Sequence, residues 1–404
     1  MTEADVGFST GHPTAIDGLD RLCLTIVPKD GNPRSDATTH KYEEEVMPLT
    51  DYLTLGRSGL RVSPLCLGAM TFGDGTGWTN NQATSAELIQ VFMDAGGNFI
   101  DTADVYGQGE SERIVGKVLG DAGLREQVVI ATKFTFDSGA KGINAFGNGR
   151  KNAMRAIDDS LGRLATDYVD LYWMHAWDTV TPVEEVVHTF DALIRGGKIR
   201  YYGLSDVPAW YAVHACMYAA QHGLAAPIAL QLQYSLIERA IEREHLPAAA
   251  QFGLGLCPWS PLAGGALSGK YKPGDTTVGG RLTNTAGPFK GVLGKEQTWP
   301  IVEALTVVAA EIGQTPAAVA LNWVATQYRS TSVIIGATRP DQLRANLAAL
   351  DFEIPPAHRD RLHMASRLAL VTPYDFFGPK RVAATVGGAR GWTHVTGLNN
   401  PPMT

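Results

Sequence analysis

The most constraining feature of this 404-residue sequence is a series of short apolar segments that alternate with amphipathic ones. The segments between the apolar runs have helical periodicity; in 152–164, for example, Met154, Ile157 and Leu161 recur at three- and four-residue spacing. Eight apolar runs with enough chain between them for crossover helices fit a closed parallel barrel better than an open sheet. The sequence therefore predicts an α/β protein with a (β/α)8 TIM barrel, whose strands are 64–69, 97–101, 127–133, 168–174, 199–204, 228–232, 254–258 and 332–336.

The predicted barrel occupies residues 51–368, between two segments of different composition. Residues 1–50 mix Gly, Pro, Asp, Thr and Glu with little periodicity, and we interpret them as an N-terminal extension, partly disordered or lying on the barrel. The sequence TLGRSGLRVS at 54–63 predicts an N-terminal hairpin that covers the bottom of the barrel. Residues 369–404 form a polar C-terminal tail, whose aromatic side chains either close a pocket or pack on the outside of the barrel.

Charge and cysteine usage exclude several classes of protein. The net charge of −7 and the absence of a dense basic run argue against a nucleic-acid partner. The four cysteines are far apart and form no CxxC or His/Cys cluster, so we expect neither a metal site nor a disulfide framework. The apolar run at 22–27 is too short for a signal peptide or a membrane span. These features predict a cytoplasmic protein without a membrane partner.

Polar residues end or follow successive apolar runs, at the end of the barrel where barrel enzymes build active sites. They are Asp101, Tyr106, Lys133 and His175. A carbonyl oxygen that receives hydride develops negative charge, and a tyrosine hydroxyl beside it can supply the proton. A free tyrosine has a pKa of about 10, which a neighbouring ammonium group lowers. This set therefore suits carbonyl reduction without a metal.

Each member has its own expected part in this chemistry. Lys133 provides the ammonium group, Asp101 holds Lys133 in place and keeps it protonated, and His175 orients the carbonyl. Taken singly, Asp101 also fits a helix cap and His175 a core histidine. The order of these residues at successive strand ends favours the catalytic interpretation.

Seven separated segments, in the same order, resemble the aldo-keto reductase superfamily over about residues 52–365. The resemblance is strongest to the branch that contains bacterial sugar-ketone reductases and potassium-channel β-subunits. It implies an NADPH-dependent oxidoreductase that reduces a ketone or aldehyde to an alcohol, with Tyr106 as the general acid. The segments are NFIDTADVYGQGESERIVGKVL (98–119), ATK (131–133), DYVDLYWMHAWD (167–178), GKIRYYGLSD (197–206), LQLQYSL (230–236), PWSPLAGGALSGKY (258–271) and VIIGATRPDQLRANLAAL (333–350).

The resemblance also implies a set of cofactor-binding residues. It includes Gly68, Met70 and Asp101. Ser205, Asp206 and Gln231 are implied at the nicotinamide carboxamide, and Trp259 is implied to stack on the nicotinamide ring. Small residues and a lysine are implied at the pyrophosphate, namely Ser260, Leu262, Gly264 and Lys270. The adenosine-phosphate end is assigned to Gly336, Thr338, Arg339, Gln342 and Asn346, with Arg281 reaching the same end.

The sequence departs from the family pattern at two positions. Asp206 stands where many relatives have asparagine, and a carboxylate donates no hydrogen bond unless it is protonated. Gln342 stands where many relatives have an arginine that binds the 2′-phosphate of NADP, a function that Arg339 and Thr338 could take over. We expect NADPH rather than NADH. A Rossmann fold is not supported, since no GxGxxG follows the first strand.

The substrate is predicted to be a small-molecule carbonyl compound in an aromatic, fairly roomy pocket. Tyr106 and His175 contact it, and the walls are predicted to include Phe72, Trp78, Phe134 and Trp177. Such a pocket suits a sugar ketone, a polyketide-like or terpenoid ketone, or an aromatic aldehyde. Two other functions stay open: an NADPH-binding regulatory or redox-sensing subunit with little turnover, and an interaction protein on a vestigial barrel. Channel β-subunits usually have asparagine at the position of His175, so its presence favours catalysis. The oligomeric state is not predicted.

Overall fold

The computed structural model describes residues 46–75, 79–273, 282 and 291–377. Most of the expected N-terminal extension, Trp78, Arg281 and the tail from residue 378 onward lie outside these ranges.

Eight parallel strands form the barrel, and they confirm the predicted (β/α)8 architecture. Neighbouring strands of the barrel follow chain order, and the last strand lies beside the first. At the remaining edge, the backbone N–H of Thr331 donates to the Leu256 carbonyl at 2.8 Å. The strands are β3 (Leu65–Gly68), β4 (Phe99–Asp101), β5 (Val129–Phe134), β6 (Val169–Met174), β7 (Ile199–Ser205), β8 (Ala229–Gln233), β9 (Gly255–Trp259) and β10 (Val333–Ile335).

Helices separate the strands, as the amphipathic segments predicted. Their starts follow local sequence signals; the Asn81 side chain accepts from the Thr84 N–H at 2.9 Å, and Thr315 caps a helix that begins with Pro316. They are α1 (Gln82–Asp94), α2 (Glu110–Asp121), α3 (Arg150–Leu164), α4 (Val183–Arg195), α5 (Ala209–His222), α6 (His245–Phe252), α7 (Thr298–Glu311), α8 (Pro316–Ala325), α9 (Pro340–Leu347) and α10 (Pro356–Ala365).

Within the described ranges, no single helix combines the length and apolar character that a bilayer crossing requires, although α7 and α8, bent by 100°, meet that test when taken together.

Side chains along each strand point alternately into and out of the barrel, and this divides the core into two layers. Inward-facing residues such as Phe99, Ala131 and Trp173 form one cluster inside the barrel, whereas their outward-facing neighbours pack under the helices. Because the period is two, the inward positions above this cluster are Asp101, Lys133 and the residues that end the later strands. The inner layer therefore points polar side chains toward the carboxyl ends of the strands, which we call the top of the barrel.

A hairpin closes the opposite end, as predicted from residues 54–63. It consists of β1 (Leu53–Thr54) and β2 (Arg61–Val62), paired antiparallel. Leu55 is fully buried against the inner cluster. Gly56 has φ +60°, and a Cβ there would lie 2.2 Å from the Ile228 carbonyl oxygen, so only glycine allows this close approach.

The described part of the C-terminal tail packs against the segment between β8 and α6. Arg239 donates to the Ser366 hydroxyl at 2.8 Å, and Arg243 donates to the Ala369 carbonyl at 2.8 Å. The Tyr374 hydroxyl bonds to the Glu244 carboxylate. These contacts attach the start of the tail to the barrel.

Candidate active site

A buried lysine connects the catalytic residues predicted from the sequence. Lys133 comes from the end of β5 and is fully buried. Its Nζ forms an ion pair with Asp101 at the end of β4, and also donates to the Thr102 carbonyl at 2.8 Å and to the Tyr106 hydroxyl oxygen at 3.2 Å. The structure thus brings Asp101, Lys133 and Tyr106 into one hydrogen-bonded chain that ends at the top of the barrel.

The protonation states of Lys133 and Tyr106 follow from their burial and from the groups beside them. Burial alone would lower the pKa of Lys133, but the adjacent Asp101 carboxylate outweighs it and raises that pKa above its ordinary value. Burial raises the pKa of Tyr106 above 10, and Lys133 offsets only part of that rise. The expected lowering of the tyrosine pKa by the ammonium group is therefore present as a contribution, but burial reverses the net direction.

His175 completes the predicted group of four. Its ring lies perpendicular to that of Tyr106, with a centroid distance of 5.8 Å, and its backbone N–H donates to the Phe134 carbonyl at 3.0 Å. Burial, with a smaller contribution from Lys133, lowers the pKa of His175 well below its usual value. The imidazole is therefore neutral at pH 7. Its Nδ1 is buried and has no hydrogen-bond partner among the described residues.

Three later strands bring the predicted nicotinamide-binding residues to the same face. The Ser205 hydroxyl, at the end of β7, is buried and has no partner within the described ranges. Gln231 on β8 donates through Nε2 to Asp101 at 2.9 Å, which leaves its carbonyl oxygen as an acceptor. At the end of β9, the Trp259 indole N–H donates to Asp206 at 3.0 Å. An orphaned hydroxyl beside an amide and an indole fits a bound carboxamide-bearing ring.

The segment after β9, which the family resemblance assigns to the pyrophosphate, has an irregular backbone. Ser260 has φ +54°, Gly264 φ +68° and Gly265 φ +103°. The Gly264 N–H donates to the Ser260 hydroxyl at 3.0 Å, so this turn is held by its own side chain. Leu262 is half-buried, and Lys270 is exposed with its Nζ 4.8 Å from the Tyr271 ring centroid. Lys270 is therefore placed to meet an anion from solvent.

The predicted adenosine-phosphate residues gather at the start of α9. Gln342 accepts from the Thr338 N–H at 3.0 Å, and Asn346 donates to the Gly336 carbonyl at 3.2 Å. Arg339 is exposed and paired with Asp341 at 3.1 Å. The side-chain oxygen of Gln342 is thus bonded within its own loop. Arg339 is the cation nearest the start of α9 within this group.

Gly68 and Met70, at the end of β3 and just after it, were both predicted to bind the cofactor. A Cβ at Gly68 would lie 2.8 Å from the Ile334 side chain, so packing of β3 against β10 requires glycine there. Met70 is half-buried in the loop that follows β3.

The prediction of the pocket walls is wrong at two positions. Phe134 is 1% exposed and packs against Tyr172 and Phe190, with ring centroids 5.1 and 6.0 Å away. It follows the inward-facing Lys133 by one residue, so it points outward under the helices. Phe72 is also wholly buried in this outer core. Both side chains stabilise the scaffold rather than line the site.

Aromatic side chains at the top of the barrel come instead from the loops. Phe136 is 45% exposed and its ring lies 4.8 Å from that of His175, a position the sequence analysis missed. The predicted wall residue Trp177 is half-buried and packs perpendicular to Trp210, with centroids 5.4 Å apart. The only signal for Phe136 was its place in the Gly-rich loop after β5, because loop conformation has no simple periodicity.

A buried acid supports the strand that holds Lys133. Glu112 on α2 is fully buried and accepts from the Thr132 hydroxyl at 2.5 Å and from Arg163 at 2.5 Å. Because Thr132 directly precedes Lys133, this pair ties β5 to α2 and α3. The sequence pattern alone does not predict these contacts.

Comparison with known proteins agrees with this geometry. Residues 64–366 match the model of the aldo/keto reductase family. A putative aryl-alcohol dehydrogenase of Saccharomyces cerevisiae is 35% identical over 80% of this chain and 86% of its own length. A probable voltage-gated potassium channel subunit beta of Oryza sativa is 39% identical over 74% and 91% of the two chains. An NADP(+) aryl-alcohol dehydrogenase of Phanerodontia chrysosporium is 32% identical over 79% and 86%. The chain belongs to the aldo/keto reductase family.

Proposed function

We propose that this protein is an NADPH-dependent oxidoreductase that interconverts a ketone or aldehyde and the corresponding alcohol. The observation that carries the proposal is the chain from Asp101 through Lys133 to the Tyr106 hydroxyl, beside the neutral His175. The similarity to two aryl-alcohol dehydrogenases supports the same class of reaction.

Tyr106 is the proton donor in this proposal. Its raised pKa keeps the phenol neutral at pH 7, so a proton is available to an oxygen that gains negative charge. Lys133 donates to the phenol oxygen, which leaves the phenolic proton free to point away from the lysine. When that proton leaves, the ammonium group stabilises the phenolate, and Asp101 keeps the ammonium group charged and in place.

His175 positions the carbonyl oxygen next to the phenol. The imidazole is neutral, and its edge faces the Tyr106 ring at the top of the barrel. A ring N–H can donate to the same carbonyl oxygen and so fix the direction from which the proton arrives. The Phe136 ring also packs against this ring, with centroids 4.8 Å apart, and so limits its movement.

Ser205, Gln231 and Trp259 would hold the nicotinamide, which supplies hydride to the carbonyl carbon when bound. The buried Ser205 hydroxyl can donate to a carboxamide oxygen, and the free carbonyl oxygen of Gln231 can accept from its amino group. The Asp206 carboxylate accepts from the Trp259 indole N–H and so helps to set the plane of the ring that would stack on the nicotinamide.

Arg339 supports the choice of NADPH over NADH. It is an exposed cation at the start of α9, where the helix dipole also favours an anion such as a 2′-phosphate. One of the similar proteins is named as an NADP(+) enzyme.

The substrate proposed is a neutral carbonyl compound with an aromatic or similarly apolar body. Phe136, in the loop after β5, offers an aromatic ring 4.8 Å from that of His175, and Trp177 lies in the loop after β6, two residues beyond His175. Such faces bind flat apolar groups without demanding a particular hydrogen-bond pattern.

Replacement of Tyr106 tests the proposal directly. In Tyr106→Phe only the hydroxyl is lost, so we expect turnover of an aromatic aldehyde to fall at least about 100-fold while NADPH affinity stays nearly unchanged. Fluorescence titration with NADPH and steady-state assays in both directions provide the two measurements. Retention of more than about a tenth of the wild-type rate would contradict the assignment of the proton donor.

A regulatory function remains the second candidate, because a potassium channel subunit beta is among the similar proteins. The same binding and turnover assays distinguish a regulatory subunit from an oxidoreductase. Tight NADPH binding by the wild-type protein with no turnover of any carbonyl or alcohol in a small panel would favour the regulatory subunit.

A further inference from the structure

Asp206 places a carboxylate among the three residues proposed to hold the nicotinamide. It directly follows Ser205, and its backbone N–H donates to the Gln231 carbonyl at 3.2 Å. Its Oδ1 accepts from the Trp259 indole at 3.0 Å. A backbone φ of +45° turns the chain at this point, a conformation that aspartate and asparagine tolerate better than most residues. These contacts keep the carboxylate close to any ring between Ser205 and Trp259.

Among the described residues, Asp206 has the Trp259 indole as its side-chain hydrogen-bond partner and forms no ion pair, so its negative charge is not neutralised by a direct contact. The titratable groups that face it are Lys133 and Tyr106. Lys133 is already paired with Asp101, and Tyr106 is a neutral phenol. Trp259, from β9, contributes a hydrogen bond but no charge. A net negative potential is therefore expected at this part of the site.

We propose that Asp206 makes the site bind oxidised nicotinamide dinucleotide more tightly than the reduced form, and so biases the bound equilibrium toward alcohol oxidation. This inference rests on the proposed function. The oxidised nicotinamide ring carries one positive charge, and the reduced ring carries none. A nearby carboxylate stabilises only the charged ring, and it does so more strongly in a site that excludes water.

The same carboxylate gives the preference a predictable pH dependence. Desolvation raises the pKa of Asp206 to about 6, although the residue as a whole is exposed at the top of the barrel. Below that pH the group is neutral and loses its attraction for the charged ring. By linkage, the oxidised ring in turn lowers this pKa, so affinity for the oxidised form increases as the pH rises through about 6. The reduced ring is uncharged, so ionisation of Asp206 adds no attraction to the binding of the reduced form.

The test is the ratio of two dissociation constants as a function of pH. NADP⁺ and NADPH are titrated separately into the full-length protein at pH 5, 6, 7 and 8, with tryptophan fluorescence and calorimetry as independent readouts. Phosphate ionisation is common to both dinucleotides and cancels in the ratio. We expect the preference for NADP⁺ over NADPH to strengthen about fivefold from pH 5 to pH 8, which is the larger part of the roughly tenfold change that one unit of pKa shift produces over the full titration.

Asp206→Asn is the decisive variant. Asparagine keeps the backbone conformation and the acceptor for Trp259 but removes the charge, so the ratio should become independent of pH and resemble that of the wild type at pH 5. Asp121→Asn is the matched control, because it removes a carboxylate that pairs with Lys117 on the outside of the barrel. Its ratio should follow the wild type.

The possible failures are distinguishable. If the wild-type protein binds both dinucleotides with a ratio that does not change with pH, the inference is overturned and the proposed function stands. A pH-dependent ratio that persists in Asp206→Asn assigns the effect to another group and also overturns it. If neither dinucleotide binds, the proposed function fails and the inference fails with it.

Discussion

Lys133 illustrates how a single buried charge organises the site. An isolated ammonium group in the interior of a protein is costly, and Lys133 avoids this cost with one carboxylate, one carbonyl and one phenol as partners. The same three contacts aim the charge at the Tyr106 oxygen. At this position, the requirement for a stable core and the requirement for catalysis are met by the same hydrogen bonds.

Replacement of this lysine by methionine separates its charge from its volume. In Lys133→Met the phenolate of Tyr106 loses its stabilising cation, so we expect kcat to fall at least about 100-fold and the pH–rate profile to shift toward alkaline pH. The Asp101 carboxylate is left without its cation, which costs about 3–5 kcal/mol of unfolding free energy. Steady-state kinetics between pH 6 and 10 and urea unfolding measure the two effects.

The double variant Asp101→Asn, Lys133→Met is the control for this experiment. It removes both charges, so most of the lost stability should return while activity does not. An active single variant with an unchanged pH–rate profile would show that Lys133 does not act through Tyr106.

At the level of the elements, close contact between neighbouring helices depends on particular glycines. Gly116 is buried in α2, where a Cβ would lie 2.3 Å from the Leu164 carbonyl oxygen at the end of α3. Gly120 is on the same helix and is exposed, with nothing within 4 Å of a Cβ placed there. The two positions therefore differ in packing but share one helical environment.

This pair of glycines gives a matched prediction. Gly116→Ala should push α2 away from α3 and cost about 1–3 kcal/mol of unfolding free energy. Gly120→Ala should leave stability unchanged or raise it by up to about 1 kcal/mol, since alanine is the better helix former. Urea unfolding of both variants measures the difference. Equal effects would mean that the contact between α2 and α3 is not tight at Gly116.

At the scale of the whole molecule, the barrel brings together the residues that are proposed to hold one cofactor, although they come from separate strand ends. The proposed cofactor residues extend from Ser205 at the end of β7 to Asn346 on α9. A ligand that binds the native state and not the unfolded chain stabilises the whole fold, by about 2.7 kcal/mol at a concentration 100 times its Kd. Thermal unfolding therefore reports on cofactor choice without an assay of turnover.

We expect NADPH to raise the Tm more than NADH does at equal concentration, because only NADPH presents a 2′-phosphate to Arg339. Arg339→Gln should reduce the shift with NADPH and leave the shift with NADH unchanged. Differential scanning fluorimetry at one ligand concentration compares the four combinations. Equal shifts for the two dinucleotides in the wild type would contradict the preference for NADPH.

The sequence-based predictions were most accurate for strands and turns, whose positions depend on a short repeat of apolar residues. The strands from β3 to β10 and the hairpin around Gly56 follow from apolar runs and turn residues, which are local properties. The same reasoning placed Asp101 and Lys133 at neighbouring strand ends. It failed at Phe134, because a shift of one residue along a strand exchanges the inside of the barrel for the outside.

The sequence alone determined the barrel, the order of its strands and the types of residue at the top, because hydrophobic periodicity and residue chemistry are encoded locally. Only the tertiary structure decided what those residues do to one another. The rise in the pKa of Tyr106 depends on burial, and the residues next to Tyr106 in the sequence do not determine how deeply its side chain is buried. The contact between Asp206 and Trp259 joins residues 53 positions apart. Distances and dielectric surroundings arise from packing, and packing exists only in the folded chain.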